Sequence, residues 1–252
     1  MSDIIETIQY RGHTINVHHD ADASNPWKDW DGQPPMIVLH GGRHADFTEY
    51  GLDLSVPTLT REQIKASLPA LKKALGITGS VLKFCTDYTY LTRVNYDNAT
   101  DLFNDSISEY FEQQTSSDKL ELLASLYQAI GVPALCTSVH GSCQGDYAEV
   151  LLVATPGWVK EVGIAPEHIE KALKNDAELY ENWAFGYCYG YTVDDIDDAS
   201  CWGFYGYDHE KSGLLDNARN AIDRHIEWKR KARIEQVKIW IRNRVPLMYR
   251  TT

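Results

Sequence analysis

At 252 residues, with 43% hydrophobic and 24% charged residues, the chain has enough apolar mass for one large globular domain or two small ones. No apolar run approaches the roughly 20 residues of a membrane-spanning helix, and MSDIIETIQYRGH lacks the apolar segment of a secretory signal; a cytoplasmic protein with no membrane partner is expected. Five cysteines, an odd number without dense spacing, exclude a disulfide framework and agree with a reducing compartment.

The net charge is −12, unevenly spread. Residues 211–252 hold eleven Lys/Arg against four Asp/Glu, +7, which leaves −19 on residues 1–210. A body this acidic repels nucleic acid at long range. Direct nucleic-acid binding is therefore expected, if anywhere, only at the basic C-terminal helix.

Taken in order, Ile8–His18 reads as two short strands turning at Gly12, with Tyr10, Ile15 and Val17 on one buried side. Residues 18–35, rich in Asp, Asn, Pro and Gly, read as loop. Met36–His40 is a buried strand, followed by a long connection to about residue 58. Thr60 caps a helix with Gln63 in a capping box; Ile64, Leu68, Leu71 and Leu75 keep helical spacing, Pro69 is expected to kink or split it, and Gly76 closes it. Val81–Tyr90 reads as a strand, Asp101–Phe111 as a short helix, and Asp118–Ile130 as a helix capped by Ser116 or Ser117. Residues 132–154 read as a hairpin, and Pro166 opens a helix that runs to about Trp183.

From Trp183 to Asp208 runs WAFGYCYGYTVDDIDDASCWGFYGYD. Tyr187, Tyr189, Tyr191 and Val193 alternate on one arm of a hairpin, with Trp202, Phe204 and Tyr207 on the other. Asp194, Asp195, Asp197 and Asp198 form its solvated turn. A long amphipathic helix from about Ser212 to Asn243 ends the chain. Hairpins interleaved with helices predict an α+β fold, antiparallel hairpins packed on helices, with an N-terminal lobe over 1–115 and a C-terminal lobe over 116–252, or the two as one continuous domain.

Three constellations have the residue types for chemistry. His13, His18, His19, His40 and His44, with Asp20, Asp22 or Asp46, suit Zn, Mn or Fe as imidazole and carboxylate ligands, and His40, His44 and Asp46 follow a strand that can present them, although loop histidines more commonly face water. Cys136, His140 and Cys143, with Cys188 or Cys201 as distant partners, have zinc-ligand chemistry in only one half-knuckle; a strand cysteine is more often a small buried hydrophobe. Cys143 beside His140, with Asp146 as orienter, contains the parts of a thiol nucleophile. The C-terminal helix carries nine Lys/Arg from Arg219 to Arg244 together with Trp228 and Trp240, a set for phosphates, for the acidic body, or for a second copy of the chain.

Ser200-Cys201-Trp202-Gly203-Phe204-Tyr205-Gly206, with Tyr187–Tyr191 before it and Ser212-Gly213-Leu214-Leu215 after it, resembles the C-terminal signature of uncharacterised proteins of tailed bacteriophages and other mobile elements. Asn25-Pro26-Trp27-Lys28-Asp29-Trp30-Asp31, then Met36 and His40, resembles that group's N-terminal signature; where commoner members carry an HRRYNLGD-like run, this chain has His40-Gly41-Gly42-Arg43-His44-Ala45-Asp46. The resemblance covers about a third of the chain and implies a setting, the bacterial host cell, rather than a mechanism. Charge and setting together lead to the expectation of a cofactor-free acidic protein that inhibits a bacterial defence nuclease or complex, by direct contact or by mimicking DNA charge, through Asp194, Asp195, Asp197, Asp198, Trp202 and Tyr205. The alternative is a metal-dependent hydrolase at His40, His44 and Asp46.

Overall fold

The computed structural model describes residues 4–41, 46–88, 98–141 and 147–244. It is an α+β protein with two four-stranded antiparallel sheets and a long C-terminal helix. Two compact units emerge: one joins residues 1–24 to 186–252, the other is 25–185. The boundary anticipated at 115 falls instead on the turn before a helix inside the second unit. The reason is non-local pairing. The N-terminal hairpin adds its second strand to the aromatic hairpin, with Ile15 opposite Val193 and Val17 opposite Tyr191.

In the first unit, β1 (Ile4–Tyr10) and β2 (His13–His19) turn through Arg11 and Gly12, both at positive φ. That pair of conformations makes the tight hairpin turn whose twist matches the strands. The sheet order is β1-β2-β7-β8, where β7 is Cys188–Val193 and β8 is Ser200–Tyr205. One sheet face, formed by Ile15, Val17, Tyr191 and Val193, packs on Leu214, Leu215, Ala218 and Ile222 of α8 (Leu214–Arg244). Tyr191 Oη donates to Asn217 Oδ1 at 2.7 Å, and Arg11 meets Asp223 at 2.9 Å, fixing the helix on the sheet. Burial on α8 stops at Ile222; from Glu227 onward nearly every residue is exposed.

The second unit is a sheet between two helical layers. Its order is β4-β3-β6-β5: β3 is Met36–His40, β4 Asp46–Tyr50, β5 Ala134–His140 and β6 Tyr147–Val153. Both faces are covered, so β3 and β6 read as continuous apolar runs rather than alternating ones. Ile37, Leu39, Leu151 and Val153 face α2 (Arg61–Ala74), α3 (Val81–Tyr88), α4 (Ala99–Glu112) and α5 (Ser116–Ala129). Met36, Val38, Val150 and Leu152 face α6 (Pro156–Val162) and α7 (Ile169–Ala184).

Asn25-Pro26-Trp27 has a structural part here. Asn25 caps α1 (Pro26–Asp29), Trp27 Nε1 donates to the Pro34 carbonyl at 2.9 Å, and the Trp27 ring meets Tyr180 edge-on. The capping box at Thr60 and Gln63 forms as expected. Pro69 does not split α2. It stands on the exposed side, where water can serve the Lys65 carbonyl that the proline ring leaves without its helical donor. Thr115, rather than Ser116 or Ser117, caps α5.

Val81–Tyr88 is a helix, correcting the expected strand; residues 89 and 90 lie outside the described residues. Val81, Phe84, Cys85 and Tyr88 satisfy helical spacing as well as strand composition. The helix wins because Ser80 accepts the Lys83 amide at its start, and the Phe84 ring packs against Tyr88 one turn on and edge-on against Tyr110 of α4. Asp46–Tyr50, inside the expected long connection, is the edge strand β4, and α6 also lay unread, although Thr155 caps it and Gly163 ends it at φ 67°.

Burial pushes the Asp176 carboxyl on α7 up to about 6. With the folded value above the unfolded one, the folded chain keeps a proton that the unfolded chain has released, so stability falls as pH rises from about 4 through about 6. Asp176→Asn should flatten that decline in urea unfolding and add about 1 kcal/mol at neutral pH, since water still reaches part of the side chain. A variant with an unchanged slope would refute the assignment.

Candidate functional site

The aromatic hairpin holds one extra residue in β8. Tyr191 pairs with Cys201 and Tyr189 with Phe204, so Trp202 and Gly203 together stand opposite Gly190. This is a bulge, and Gly203 takes its positive φ of 83°. The phase shift lets Cys201 and Phe204, three residues apart, both join the core on α8. Trp202 is sent to the opposite face, where it is 45% exposed. Its ring lies over Gly190: a Cβ there would sit 2.2 Å from the indole. His18, on the neighbouring strand opposite Gly190, meets the same ring at 5.8 Å.

Around Trp202 that face is polar. Asn16 is buried, 8% exposed, and bonded at both ends of its amide: it accepts from Thr7 Oγ1 and donates to Asp194 Oδ1 at 2.9 Å. His18 Nε2 shares a hydrogen with Thr192 Oγ1 at 2.9 Å. The segment after β2 closes the far side, where Asp20 accepts the Gly203 amide and Tyr205 Oη donates to the Ser24 carbonyl at 2.8 Å. Tyr205 is thus half-buried and committed to the Ser24 carbonyl.

The acidic turn is more than a solvated loop. Asp194, Asp195, Asp197 and Asp198 are exposed, but Ile196 and Ala199 between and beside them are buried in the sheet–helix core. Asp195 and Asp198 take positive φ of 61° and 69°, conformations that Asp adopts more readily than most residues. The Asp194 amide donates to Thr14 and the Val193 amide to Ala199. Four carboxylates within five residues are therefore held in place by an apolar pin and a hydrogen-bonded frame.

The metal candidates are placed differently. His40 and Asp46 pair across β3 and β4, but His40 Nε2 is bonded to Thr48 Oγ1 at 2.9 Å and Asp46 accepts its neighbour's amide from Phe47. His44 lies outside the described residues, as do Cys143 and Asp146 of the thiol arrangement. Cys136 and His140 stand four residues apart on one strand, about 13 Å at strand rise, too far to share an ion. Burial, with Glu149 and Glu121 nearby, pushes the Cys136 thiol up to about 12, and burial takes Cys188 to about 11; neither is a ready thiolate. Cys188 and Cys201 belong to the other unit from Cys136. Among the described residues no three His, Cys, Asp or Glu side chains converge as a metal site. A cavity of about 240 Å³ does lie beside His40, lined by Leu39, Gly41, Ser117, Tyr147 and Glu149, with Ser117 donating to Glu149 at 2.6 Å.

The residues that sequence reasoning missed are Gly190, Asn16 and Ile196; His18, read as a possible metal ligand, stands instead against the Trp202 ring. Only Gly190, a glycine inside an aromatic strand, carried a sequence signal of close approach. Among the described residues no helix is long and apolar enough to cross a membrane. No protein-family model, curated protein or solved structure matches the chain.

Gly190→Ala forces the Trp202 ring or the Cys201 carbonyl to move, and should cost about 1–3 kcal/mol in urea unfolding. Gly79→Ala, with nothing within 4 Å of the added carbon, should stay within about 0.5 kcal/mol. Equal effects at the two positions would contradict the packing described.

Proposed function

We propose that this chain is an acidic binding protein encoded by a phage or mobile element, which inhibits a bacterial defence nuclease or nuclease complex by direct contact. The observation that carries the reading is the pinned turn: Asp194, Asp195, Asp197 and Asp198 exposed together, at one end of a sheet face that also exposes Trp202. A protein that grips DNA presents cations spaced for phosphates. A surface that offers carboxylates without needing to reorganise competes for those cations, and charge complementarity speeds the encounter. Trp202 supplies the apolar anchor, the type of residue over-represented among energetically dominant contacts. The 1–210 charge of −19 and the likeness of the 200–206 block to phage proteins support the same reading.

The test is a variant that removes charge and leaves the turn intact. Asn tolerates positive φ, so Asp195→Asn/Asp197→Asn/Asp198→Asn should melt like the parent protein. Its affinity for a nuclease retained from bacterial lysate should fall at least about tenfold, and the salt dependence of binding should flatten. Inhibition of that nuclease's DNA cleavage should weaken in parallel. Binding equal to the parent's, or retention of no DNA-cleaving protein by the parent, would refute the proposal.

A further inference from the structure

The outer half of α8 is built for contact. Residues 227–244 continue as one helix for about 27 Å beyond the sheet. Along them Trp228, Ile234, Val237, Ile239, Trp240 and Ile241 are all more than two-fifths exposed. Isolated exposed hydrophobics are ordinary, but six large ones within fourteen residues form a surface that water disfavours. At about 100° per residue, Ile226 and Trp240 stay near the side that Ile222 buries, while Val237, Ile241 and Ile234 lie about 60–120° around from it, so the outer half presents an apolar stripe of its own beside Arg230 and Arg233.

The charge selects the occupant. Residues 227–244 carry seven Lys/Arg and two Glu, +5. Lys231 and Lys238 are paired within the helix to Glu227 and Glu235, whereas Lys229, Arg230, Arg233 and Arg242 have no ion-pair partner among the described residues. A like helix would meet this one +5 against +5. A polyanion such as DNA would satisfy the cations but leave Ile234, Val237 and Ile241 in water. The surface needed is apolar and acidic together. The face of β1-β2-β7-β8 turned away from α8 has both: Ile4, opposite His18, is 55% exposed, Trp202 is 45% exposed, and the four carboxylates of the turn stand at its end. Four strands span about 15 Å, so a 27 Å helix crosses them and reaches the turn. A chain cannot make this contact with itself, because the first half of the same continuous helix is packed on the other face of that sheet.

We infer that a second copy of this chain supplies the partner: the outer half of α8 from each copy lies across the Trp202 face of the other, a reciprocal two-fold exchange. The contact uses the same face as the proposed host interaction and so competes with it. It is measured on the purified chain alone. A monomeric chain therefore leaves the host contact standing, and a dimer that retains no nuclease leaves the exchange standing.

Light scattering and sedimentation of the full chain test it. At about 0.05 M salt the parent should be a dimer, and its dissociation constant should rise at least about tenfold by about 0.5 M. Arg230→Glu/Arg233→Glu changes the helix, and Gln9→Lys/Asp197→Lys changes the face at exposed positions that avoid the positive-φ residues. Each variant alone should be monomeric and melt like the parent. Mixed together they should form a one-to-one heterodimer, since both helix–face contacts are then complementary again. A monomeric parent at low salt, whether or not it shifts DNA or anionic vesicles, would overturn the inference. So would a dimer that survives the face variant, or a mixture that stays monomeric.

Discussion

The close approach of the Trp202 indole to Gly190 is the constraint on which the first unit depends. A side chain at 190 would meet the ring at 2.2 Å, so only glycine lets the ring lie flat across β7. The ring can lie there because β8 holds one more residue than β7 needs. That single insertion does two jobs. It keeps Cys201 and Phe204 in the core against α8, and it turns Trp202 outward beside His18. Without it, strict alternation would place Cys201 and Phe204 on opposite faces, and one of them would leave the core. The compact spacing of Cys-Trp-Gly-Phe is thus a statement about strand geometry before it is one about binding.

The acidic turn follows from the same frame. Like charges held close repel, and an unconstrained loop would spread Asp194, Asp195, Asp197 and Asp198 apart. Ile196 opposes this: its burial in the core fixes the carboxylates outward and together. Asn16 ties the first of them to the sheet. A surface fixed in this way binds without first losing the conformational freedom that a loose loop would have to give up.

The helix that covers the sheet has two lives. Its first third carries the buried contacts of the unit, and its last eighteen residues carry none. The apolar side swings around the helix between them, Ile241 standing about 100° from Ile222, and the outer part has no sheet beneath it. In the other unit the same apolar logic closes fully, with helices on both faces of β4-β3-β6-β5, and the polar edge beside His40 is left as a small cavity.

Local chemistry was legible along most of the chain. The Arg11-Gly12 turn, the box at Thr60 and Gln63, the Met36–His40 strand, the 132–154 hairpin and the aromatic hairpin are decided by residues close in sequence, where capping, turn conformation and alternation act over a few positions. Where two periodicities fit one stretch, as over Val81–Tyr88, neighbours on α4 decided between them, and no local rule could. Residue order determined the acidic turn and the amphipathic C-terminal helix. Only the tertiary structure decided that Ile15 pairs with Val193, that the chain therefore divides into 1–24 with 186–252 and 25–185, and that Asn16, His18, Asp194 and Trp202 share a face. Those contacts join residues 178 or more positions apart, and pairing at that range depends on how the whole chain buries its apolar surface rather than on any stretch of it.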